Sequence, residues 1–509
     1  MTYTIEKVTT LIGARRYGDK DTNIGFILTD SRSLCFPEET LFFALKSERN
    51  DGHNYIPELY RRGVRNFVVT NVPKGYASDY PEANFLKVVN TLEALQRLAE
   101  RHRDEFNIPI VGITGSNGKT MVKEWLHQLL SPNMFVTRSP RSYNSQIGVP
   151  LSVWLMNEQT EVGVFEAGIS QPGEMLALRD IIQPTIAVLT YLGSAHQENF
   201  ESLEAKCREK IILFHDAETI VYNGDDEIVA RVVGEYHDYK GEKLYWSLKD
   251  SAAPFYVKNI EKKGNLSIIT YIYKGEEDSY SLPFIDEASV TNSIIAAVVS
   301  RKLGLTAEEV DKRMSLLEPV AMRLEVKEGQ HGCTLINDSY NSDINSLDIA
   351  LDFMSRRPDH KGRRHTLILS DIFQSGENPK DLYKEVSDLC RKRGVVKFIG
   401  VGPQLYEQSD EIQISEKFFF RNIEDFIKSE VFASLRDEVI LLKGARQFGF
   451  DQLTELLVKK VHETTLEVNL NAVVANLNYY RSFMKPETKL VCMIKADGYG
   501  AGAVEIAKT

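Results

Sequence analysis

Short apolar runs alternate with helical periodicities along most of this chain. Between about residues 106 and 315, strand-like runs stand at 110–114, 161–166, 186–189 and 220–221, with amphipathic patterns between them. Strands separated by helices in this way are typical of a mostly parallel sheet covered by helices. The hydrophobic pattern therefore predicts an α/β fold for the middle of the chain.

Two further blocks flank this region. Residues 1 to about 105 mix short strands, such as 67–70, with amphipathic helices, such as 91–101. Beyond an Arg-Leu-Glu segment at 323–325, a second α/β block has predicted strands at 334–337, 366–369, 396–399 and 439–442. We therefore predict three domains, at residues 1–105, 106–315 and 316–462.

The pattern changes again beyond His462. Residues 466–470 alternate between apolar and polar, a helical segment follows, and a second predicted strand leads into Lys495. A segment of about 45 residues cannot bury a core of its own. We therefore expect residues 463–509 to be the start of a further domain that is incomplete here.

The composition argues against a nucleic-acid-binding, membrane or secreted protein. The net charge of −11 makes a nucleic-acid partner unexpected, and no apolar run reaches the length of a membrane span. The five cysteines are scattered without metal-ligand spacing, and no secretory signal begins the sequence. These observations predict a cytoplasmic protein without nucleic-acid or membrane partners.

A glycine-rich turn carries the strongest chemical signal. The apolar run 108–113 leads into Thr-Gly-Ser-Asn-Gly-Lys-Thr at 114–120, directly before the helical pattern 121–130. Backbone N–H groups of such a turn, with the N-terminus of the following helix, bind phosphate oxygens. Lys119 would add positive charge at the β- and γ-phosphates, and Thr120 a hydroxyl for Mg²⁺. Ile113 replaces the first glycine of the general pattern, which points to the subtype found in ATP-dependent amide ligases.

Other side chains could join this turn, although each also has a simpler interpretation. Glu166 ends a predicted strand, at the edge where open α/β sheets bind ligands, and His196 follows another strand. Lys206 and Lys210, which we place on opposing sides of a helix over 202–214, would ordinarily be solvated. Taken singly, these residues are more readily explained as surface or packing side chains.

Taken together, the motifs resemble those of the Mur ligase family, whose members make amide bonds in peptidoglycan precursors. The glycine-rich turn, Asn-Ser-Gln-Ile-Gly-Val-Pro at 144–150, Glu-Ala-Gly at 166–168, Ala-His at 195–196 and Glu-Lys-Ile-Ile-Leu-Phe at 209–214 occur in the family's order. The segments at 30–32, 41–45 and 51–53 are similar to its UDP-sugar-binding domain, and those at 338–341, 370–372 and 443–446 to its last domain.

The resemblance covers nearly all of residues 1–460 and implies a three-domain α/β architecture. The expected parts are an N-terminal UDP-binding domain, a central P-loop ATPase domain with a parallel sheet, and a C-terminal Rossmann-like domain.

The sequence departs from the family's motifs at two places that concern ligand contacts. Ala288 and Ser289 stand where the family often has His-Asn, and Ser145 and Gln146 stand where it usually has Asn-Asp.

The resemblance also implies a site for ATP and Mg²⁺. The nucleotide would contact Gly115, Asn117, Gly118, Lys119, Thr120, Asn292 (near the adenine), Arg323 and Asp338. Mg²⁺ would be held by Thr120, Glu166, His196 and Lys210, and the catalytic residues would be Lys119, Glu166, His196 and Lys210. Lys210 would carry a carbamate, which converts a cation into an anionic ligand, and Lys206 is the alternative position for this modification.

The implied reaction joins D-alanyl-D-alanine to UDP-N-acetylmuramoyl-tripeptide through an acyl phosphate. Substrate contacts would come from Ser31, Arg32, Asn144, Asp371, Lys443 and Arg446. The third residue of the tripeptide stays open between diaminopimelate and lysine. A sister ligase with another acceptor, such as a folylpolyglutamate synthetase, and a non-catalytic nucleotide-binding scaffold remain alternatives.

The tail resembles a second family, the pyridoxal-phosphate-dependent alanine racemases. The segments at 466–470, 476–480 and 493–500 are similar to the opening of a racemase, with Lys495 matching the lysine that binds pyridoxal phosphate. A racemase makes D-alanine, the precursor of the dipeptide, so a bifunctional fusion is implied. We expect racemase activity and pyridoxal phosphate binding only in a longer chain, with a monomeric ligase part and a dimeric racemase part. A racemase that the N-terminal part merely regulates is a further alternative.

Overall fold

The computed structural model describes residues 2–47, 50–193, 197–237, 239–320, 324–339, 342–356, 362–372, 378–445, 448–459, 468, 470–481, 484, 488–494, 498, 502 and 506–507. The chain divides into two compact units. One unit contains residues 1–101 and 461–509, and the other contains residues 102–460.

The first unit is built on a five-stranded sheet in the order β2-β7-β6-β5-β4, parallel except where β2 pairs with β7. Its apolar core includes Phe42, Leu59, Phe67 and Phe85, all essentially buried. In chain order the elements are β1 (Tyr3–Thr4), α1 (Ile5–Leu11), β2 (Arg15–Tyr17), β3 (Asn23–Ile24), β4 (Phe26–Leu28), β5 (Thr40–Phe43), α2 (Ile56–Arg61), β6 (Asn66–Val69), α3 (Tyr76–Asp79), β7 (Asn84–Lys87) and α4 (Thr91–Arg103), the last of which extends into the second unit.

A six-stranded sheet of parallel strands opens the second unit, in the order β13-β12-β11-β8-β10-β9. The predicted parallel α/β fold is therefore confirmed. The elements are β8 (Ile110–Thr114), α5 (Lys119–Leu130), β9 (Val136–Arg138), α6 (Gly148–Val153), β10 (Val162–Glu166), α7 (Glu174–Ile182), β11 (Ile186–Leu189), α8 (Leu203–Lys210), β12 (Thr219–Val221), α9 (Glu227–Gly234) and β13 (Glu242–Lys243).

A second sheet follows that the sequence pattern did not predict. It contains β14 (Trp246–Ser247), β15 (Phe255–Lys263), β16 (Leu266–Tyr273) and β17 (Glu276–Leu282), and it is antiparallel apart from the β14–β15 pair. Burial alternates along β16, and the hairpin to β17 turns through Lys274 and Gly275, both at positive φ. Such a two-residue turn between alternating strands is a hairpin signal. Helices α10 (Glu287–Lys302) and α11 (Ala307–Met314) come next.

The last sheet has the order β18-β19-β23-β20-β21-β22, with β18 antiparallel to β19 and the remaining pairs parallel. It contributes to two apolar core clusters. The elements are β18 (Glu325–Glu328), β19 (Thr334–Asp338), α12 (Ile344–Arg356), β20 (Arg364–Ser370), α13 (Pro379–Lys392), β21 (Lys397–Val401), α14 (Pro403–Glu407), β22 (Glu416–Phe420), α15 (Ile423–Ile427), α16 (Glu430–Ala433), β23 (Glu438–Lys443) and α17 (Phe450–Leu457).

The tail contains the helix that its sequence predicts, α18 (Leu470–Arg481). Residues 488–494, predicted as a strand, have no regular secondary structure, because a strand needs a hydrogen-bonded neighbour and none pairs with them among the described residues. In the described parts of the chain, no helix has the length and apolar character needed to cross a membrane.

Candidate active site

The glycine-rich turn connects β8 to α5 and has the backbone conformation of a phosphate-binding loop. Gly115 and Gly118 have φ angles of 146° and 86°, a region that favours glycine. Lys119 begins α5, and its Nζ donates to Gly115 O at 2.7 Å and Ser116 O at 3.3 Å. The ammonium group therefore lies over the turn, where it can meet the phosphates of a nucleotide.

Close packing is a second reason for the two glycines. A Cβ atom at Gly115 would overlap Thr190 Oγ1, and one at Gly118 would overlap Asn292 Oδ1. Thr190 lies directly after β11, and its hydroxyl donates to Asn117 O. The side chains of Thr190 and Asn292 thus pack against the turn and fix the direction of its N–H groups.

Glu166 and Thr120 form the polar pair that the sequence predicts beside this turn. Glu166 ends β10 and is fully buried, and its Oε2 accepts from Thr120 Oγ1 at 3.1 Å and from Asn144 Nδ2 at 3.3 Å. The strand register brings Glu166 close to the turn, because Glu166 pairs with Ile113 of the adjacent parallel strand β8. Asn144, predicted as a substrate contact, therefore shares a carboxylate oxygen with the hydroxyl of the turn.

Lys123 is a buried member of this cluster that the sequence interpretation missed. Its Nζ lies 3.0 Å from Glu166 Oε1 and 2.9 Å from Ser139 O, and the side chain is fully buried. A lysine four residues after Lys119, on the same face of α5, was the available signal. Helical periodicity alone treats such a lysine as solvated.

Lys206 and Lys210 are both buried on α8, so their placement on opposing sides of this helix was wrong. Residues four apart stand on the same face of a helix. Lys206 Nζ donates to Gly193 O at 2.5 Å, and burial, opposed by Asp343, lowers the pKa of Lys206 to about 8. Lys210 Nζ donates to Gly115 O at 3.3 Å. Burial, with smaller contributions from the Lys119 and Lys206 ammonium groups, holds the pKa of Lys210 well below its ordinary value.

The donor set fits Mg²⁺ bound together with phosphates. Among the described residues, no group of three or more His, Cys, Asp and Glu side chains is arranged to hold a metal. Mg²⁺ needs no such group, because it is commonly held by one or two carboxylates, water and substrate phosphates. Two adjacent ligands of an octahedral Mg²⁺ stand about 2.9 Å apart. The separation of 3.1 Å between Thr120 Oγ1 and Glu166 Oε2 is close to that value.

Asn292 lies against the turn itself. Its carboxamide packs at Gly118, and its Nδ2 contacts Met121 Sδ at 3.2 Å. The expected role at the adenine stays a prediction, while the observed contact assigns Asn292 a part in shaping the phosphate turn.

Predicted ligand residues of the C-terminal sheet are engaged with each other or with backbone. Lys443 Nζ donates to Asp338 Oδ2 at 2.6 Å, and both side chains are buried. The Asp371 carboxylate accepts from the N–H groups of Gln404 and Leu405, at the start of α14, and burial raises the pKa of Asp371. Asp371 therefore caps a helix, and its contact with substrate stays a prediction.

The predicted substrate residues of the first unit lie in a short turn after β4. Arg32 is largely exposed and its guanidinium pairs with Asp30, which lowers the pKa of Asp30. Ser31 O accepts from Arg62 at 2.8 Å.

Four other predicted site residues lie outside the described residues, namely His196, Arg323, Arg446 and Lys495.

Two known protein families match separate parts of the chain. Residues 113–300 match the Mur ligase middle domain, which includes the glycine-rich turn, Glu166, Lys210 and Asn292. Residues 468–509 match the N-terminal domain of alanine racemase.

Similar proteins extend the match over most of the chain. The UDP-N-acetylmuramoyl-tripeptide–D-alanyl-D-alanine ligase of Bacillus subtilis is 26% identical over 465 residues, covering 86% of this chain and 94% of that protein. The crystal structure of MurF from Acinetobacter baumannii has a TM-score of 0.76 at 21% identity, covering 90% of this chain and 99% of that one. MurF ligase from Thermotoga maritima in complex with ADP has a TM-score of 0.70 at 22% identity, covering 84% of this chain and 96% of that one. The two structures share the fold of this chain.

Replacing Gly118 by alanine tests the role of the turn. Its Cβ would press on Asn292 and displace the N–H groups, and overpacking of this kind costs about 1–3 kcal/mol. We expect the affinity for ADP, measured by calorimetry, to fall about tenfold or more.

Gly173→Ala is the matched control. Gly173 has a φ of 85° at the start of α7, but a Cβ there meets no atom within 4 Å. The Gly173→Ala variant carries the same backbone strain without a clash of its Cβ atom, and it should bind ADP like the wild type. Equal ADP affinity in the two variants would contradict the proposed role of the Gly118–Asn292 contact.

Proposed function

We propose that this chain, which belongs to the Mur ligase family, uses ATP to join D-alanyl-D-alanine to UDP-N-acetylmuramoyl-tripeptide in peptidoglycan precursor synthesis. The observation that carries the proposal is the phosphate turn with Lys119 above it and the Thr120–Glu166 pair beside it. The chain also spans nearly the whole length of relatives named for this reaction. Mg²⁺ would be held at Thr120 and Glu166 and would offset negative charge on the transferred phosphoryl group.

The resemblance to the Mur ligases implies a reaction through an acyl phosphate. The terminal carboxylate of the tripeptide attacks the γ-phosphorus of ATP, an acyl phosphate forms, and ADP leaves. The dipeptide amine then attacks the acyl carbon, loses a proton, and the tetrahedral intermediate expels phosphate as the amide forms. Lys119 and the N–H groups of the turn stabilise the charge on the transferred group. Asn144, which shares Glu166 Oε2 with Thr120, would orient the tripeptide carboxylate toward the phosphates.

We further propose that the Lys210 amine is carbamylated. A carbamate forms when an uncharged amine adds CO₂, and burial with two nearby ammonium groups favours the uncharged amine. The product is an anion near the turn, where it can act as a further ligand for Mg²⁺. Lys206, whose pKa burial lowers to about 8, is the alternative position. As the resemblance implies, His196 would be a further ligand of Mg²⁺ and Arg323 would contact the nucleotide.

The cytoplasm is the proposed compartment, because ATP and the nucleotide-linked precursor are both intracellular substrates. Lys495 would bind pyridoxal phosphate only in a chain that carries a complete racemase domain.

Phosphate release from ATP tests the function directly. With Mg²⁺, the UDP-linked tripeptide and D-alanyl-D-alanine all present, we expect release together with a mass gain equal to the dipeptide minus water. Omitting either substrate should abolish this product. Lys119→Ala should lower the rate by about 10²–10³-fold, the usual cost of removing one such charge contact.

Lys258→Ala is the control, since Lys258 is half-exposed on β15 and pairs with Glu277. It should keep the wild-type rate. Release that requires an acceptor other than the dipeptide would indicate a sister ligase. Nucleotide binding without any turnover would support the scaffold alternative and contradict the proposal.

Carbamylation has a separate test. Protein depleted of CO₂ should lose activity and regain it when bicarbonate is added. With ¹³C-bicarbonate, a carbamate carbon signal should appear in the wild type and be absent in Lys210→Ala. A signal that persists in Lys210→Ala and disappears in Lys206→Ala would move the modification to Lys206. Full activity without CO₂ would contradict it.

A further inference from the structure

Lys123 is a buried ammonium group enclosed by oxygen atoms. Its Nζ is 3.0 Å from Glu166 Oε1, 3.0 Å from Glu124 Oε1 and 2.9 Å from Ser139 O, and it also donates to Arg141 O. Burying an ammonium group costs several kcal/mol unless such partners compensate it. A buried ion pair is weak evidence for stability in itself. The presence of Lys123 is therefore better explained by what its partners do in the site than by stability.

The ion pair occupies one oxygen of Glu166 and leaves the other toward the phosphate turn. Oε1 faces Lys123, while Oε2 contacts Thr120 Oγ1 and Asn144 Nδ2. Turning the plane of the carboxylate would break the contact with Lys123. The lysine therefore holds the carboxylate in the orientation that presents one oxygen to the region where metal and phosphates bind.

The same lysine holds the segment that follows β9. Besides the carbonyl oxygens of Ser139 and Arg141, this segment is tied by Glu166 N–H donating to Ser139 Oγ at 3.1 Å and by Ser142 Oγ lying 3.2 Å from Thr120 Oγ1. Arg141 has a φ of 49°, a conformation that costs a non-glycine residue energy and persists only where neighbours impose it. Asn144 ends this segment.

We propose that Lys123 is a positioning residue that couples the metal-facing oxygen of Glu166 to the segment 139–144. Metal binding with the nucleotide would then fix the Glu166 carboxylate, and through Lys123 and Asn144 it would order the segment that meets the acyl substrate. The inference depends only on the Mg²⁺-nucleotide part of the proposed function, and it holds for any acceptor.

Nucleotide binding with and without metal provides the test. In Lys123→Met, ADP affinity measured by calorimetry without Mg²⁺ gives the baseline of the variant, to which Lys119 and the turn still contribute. The increase in ADP affinity on adding Mg²⁺ should shrink by about 10- to 100-fold, the usual effect of removing a group that orients a metal ligand. An unchanged increase in a folded variant would overturn the proposal.

Glu124→Gln is the matched control. Glu124 contacts the same lysine and pairs with Arg138, but it does not contact Glu166. This variant should keep the full effect of Mg²⁺. If it lost the effect as Lys123→Met does, general loosening of α5 rather than orientation of Glu166 would be the cause.

A measurement on the unaltered protein covers the case in which Lys123→Met fails to fold. Hydrogen exchange of the amides in segment 139–144 should slow when Mg²⁺ and ADP are both bound, and much less with ADP alone. Equal exchange under the two conditions would show that the metal and the segment are not coupled. These readouts do not depend on ligase turnover, so failure of the acceptor assay leaves them interpretable.

Discussion

The parallel register of β8, β10 and β11 is the constraint on which the candidate site depends. Glu166 pairs with Ile113 and Leu189 with Thr114, so the three strands end at one edge of the sheet. The phosphate turn, the carboxylate and Thr190 therefore emerge side by side. A slip of one residue would turn Glu166 to the other face of its strand. The contact with Thr120 would then be lost.

Buried lysine side chains stand near this edge of the sheet. Lys123 Nζ lies 3.0 Å from Glu166 Oε1 and 3.0 Å from Glu124 Oε1, so its charge is balanced by carboxylates. Lys206 and Lys210 are buried on α8, and the Nζ atom of each donates to a backbone carbonyl oxygen. Burial lowers the pKa of both amines, and an uncharged amine is what carbamylation of Lys210 requires. Because burying a lysine costs free energy, these positions are better explained by the chemistry of the site than by stability.

The sequence predicted those parts of the molecule that depend on local patterns. The strands around the turn begin and end within about two residues of their predicted positions, because short apolar runs between helices leave little choice of fold. The contact of Lys123 with Glu166 could not be predicted, since it joins residues far apart in the chain through a fold not yet known. The role of Asp371 as a cap of α14 could not be predicted either, because its carboxylate accepts from backbone N–H groups far along the chain. Its motif suggests a contact with substrate, which stays a prediction.

The central claim is that the acyl substrate is activated by phosphoryl transfer at the glycine-rich turn. The most direct measurement uses UDP-linked tripeptide with oxygen-18 at both oxygens of its terminal carboxylate, followed by mass spectrometry of the phosphate released. Attack of that carboxylate on ATP places one labelled oxygen in the phosphate and leaves the other in the amide, so we predict one label in the phosphate for each amide formed. Unlabelled phosphate, with the second label lost to water, would contradict the account.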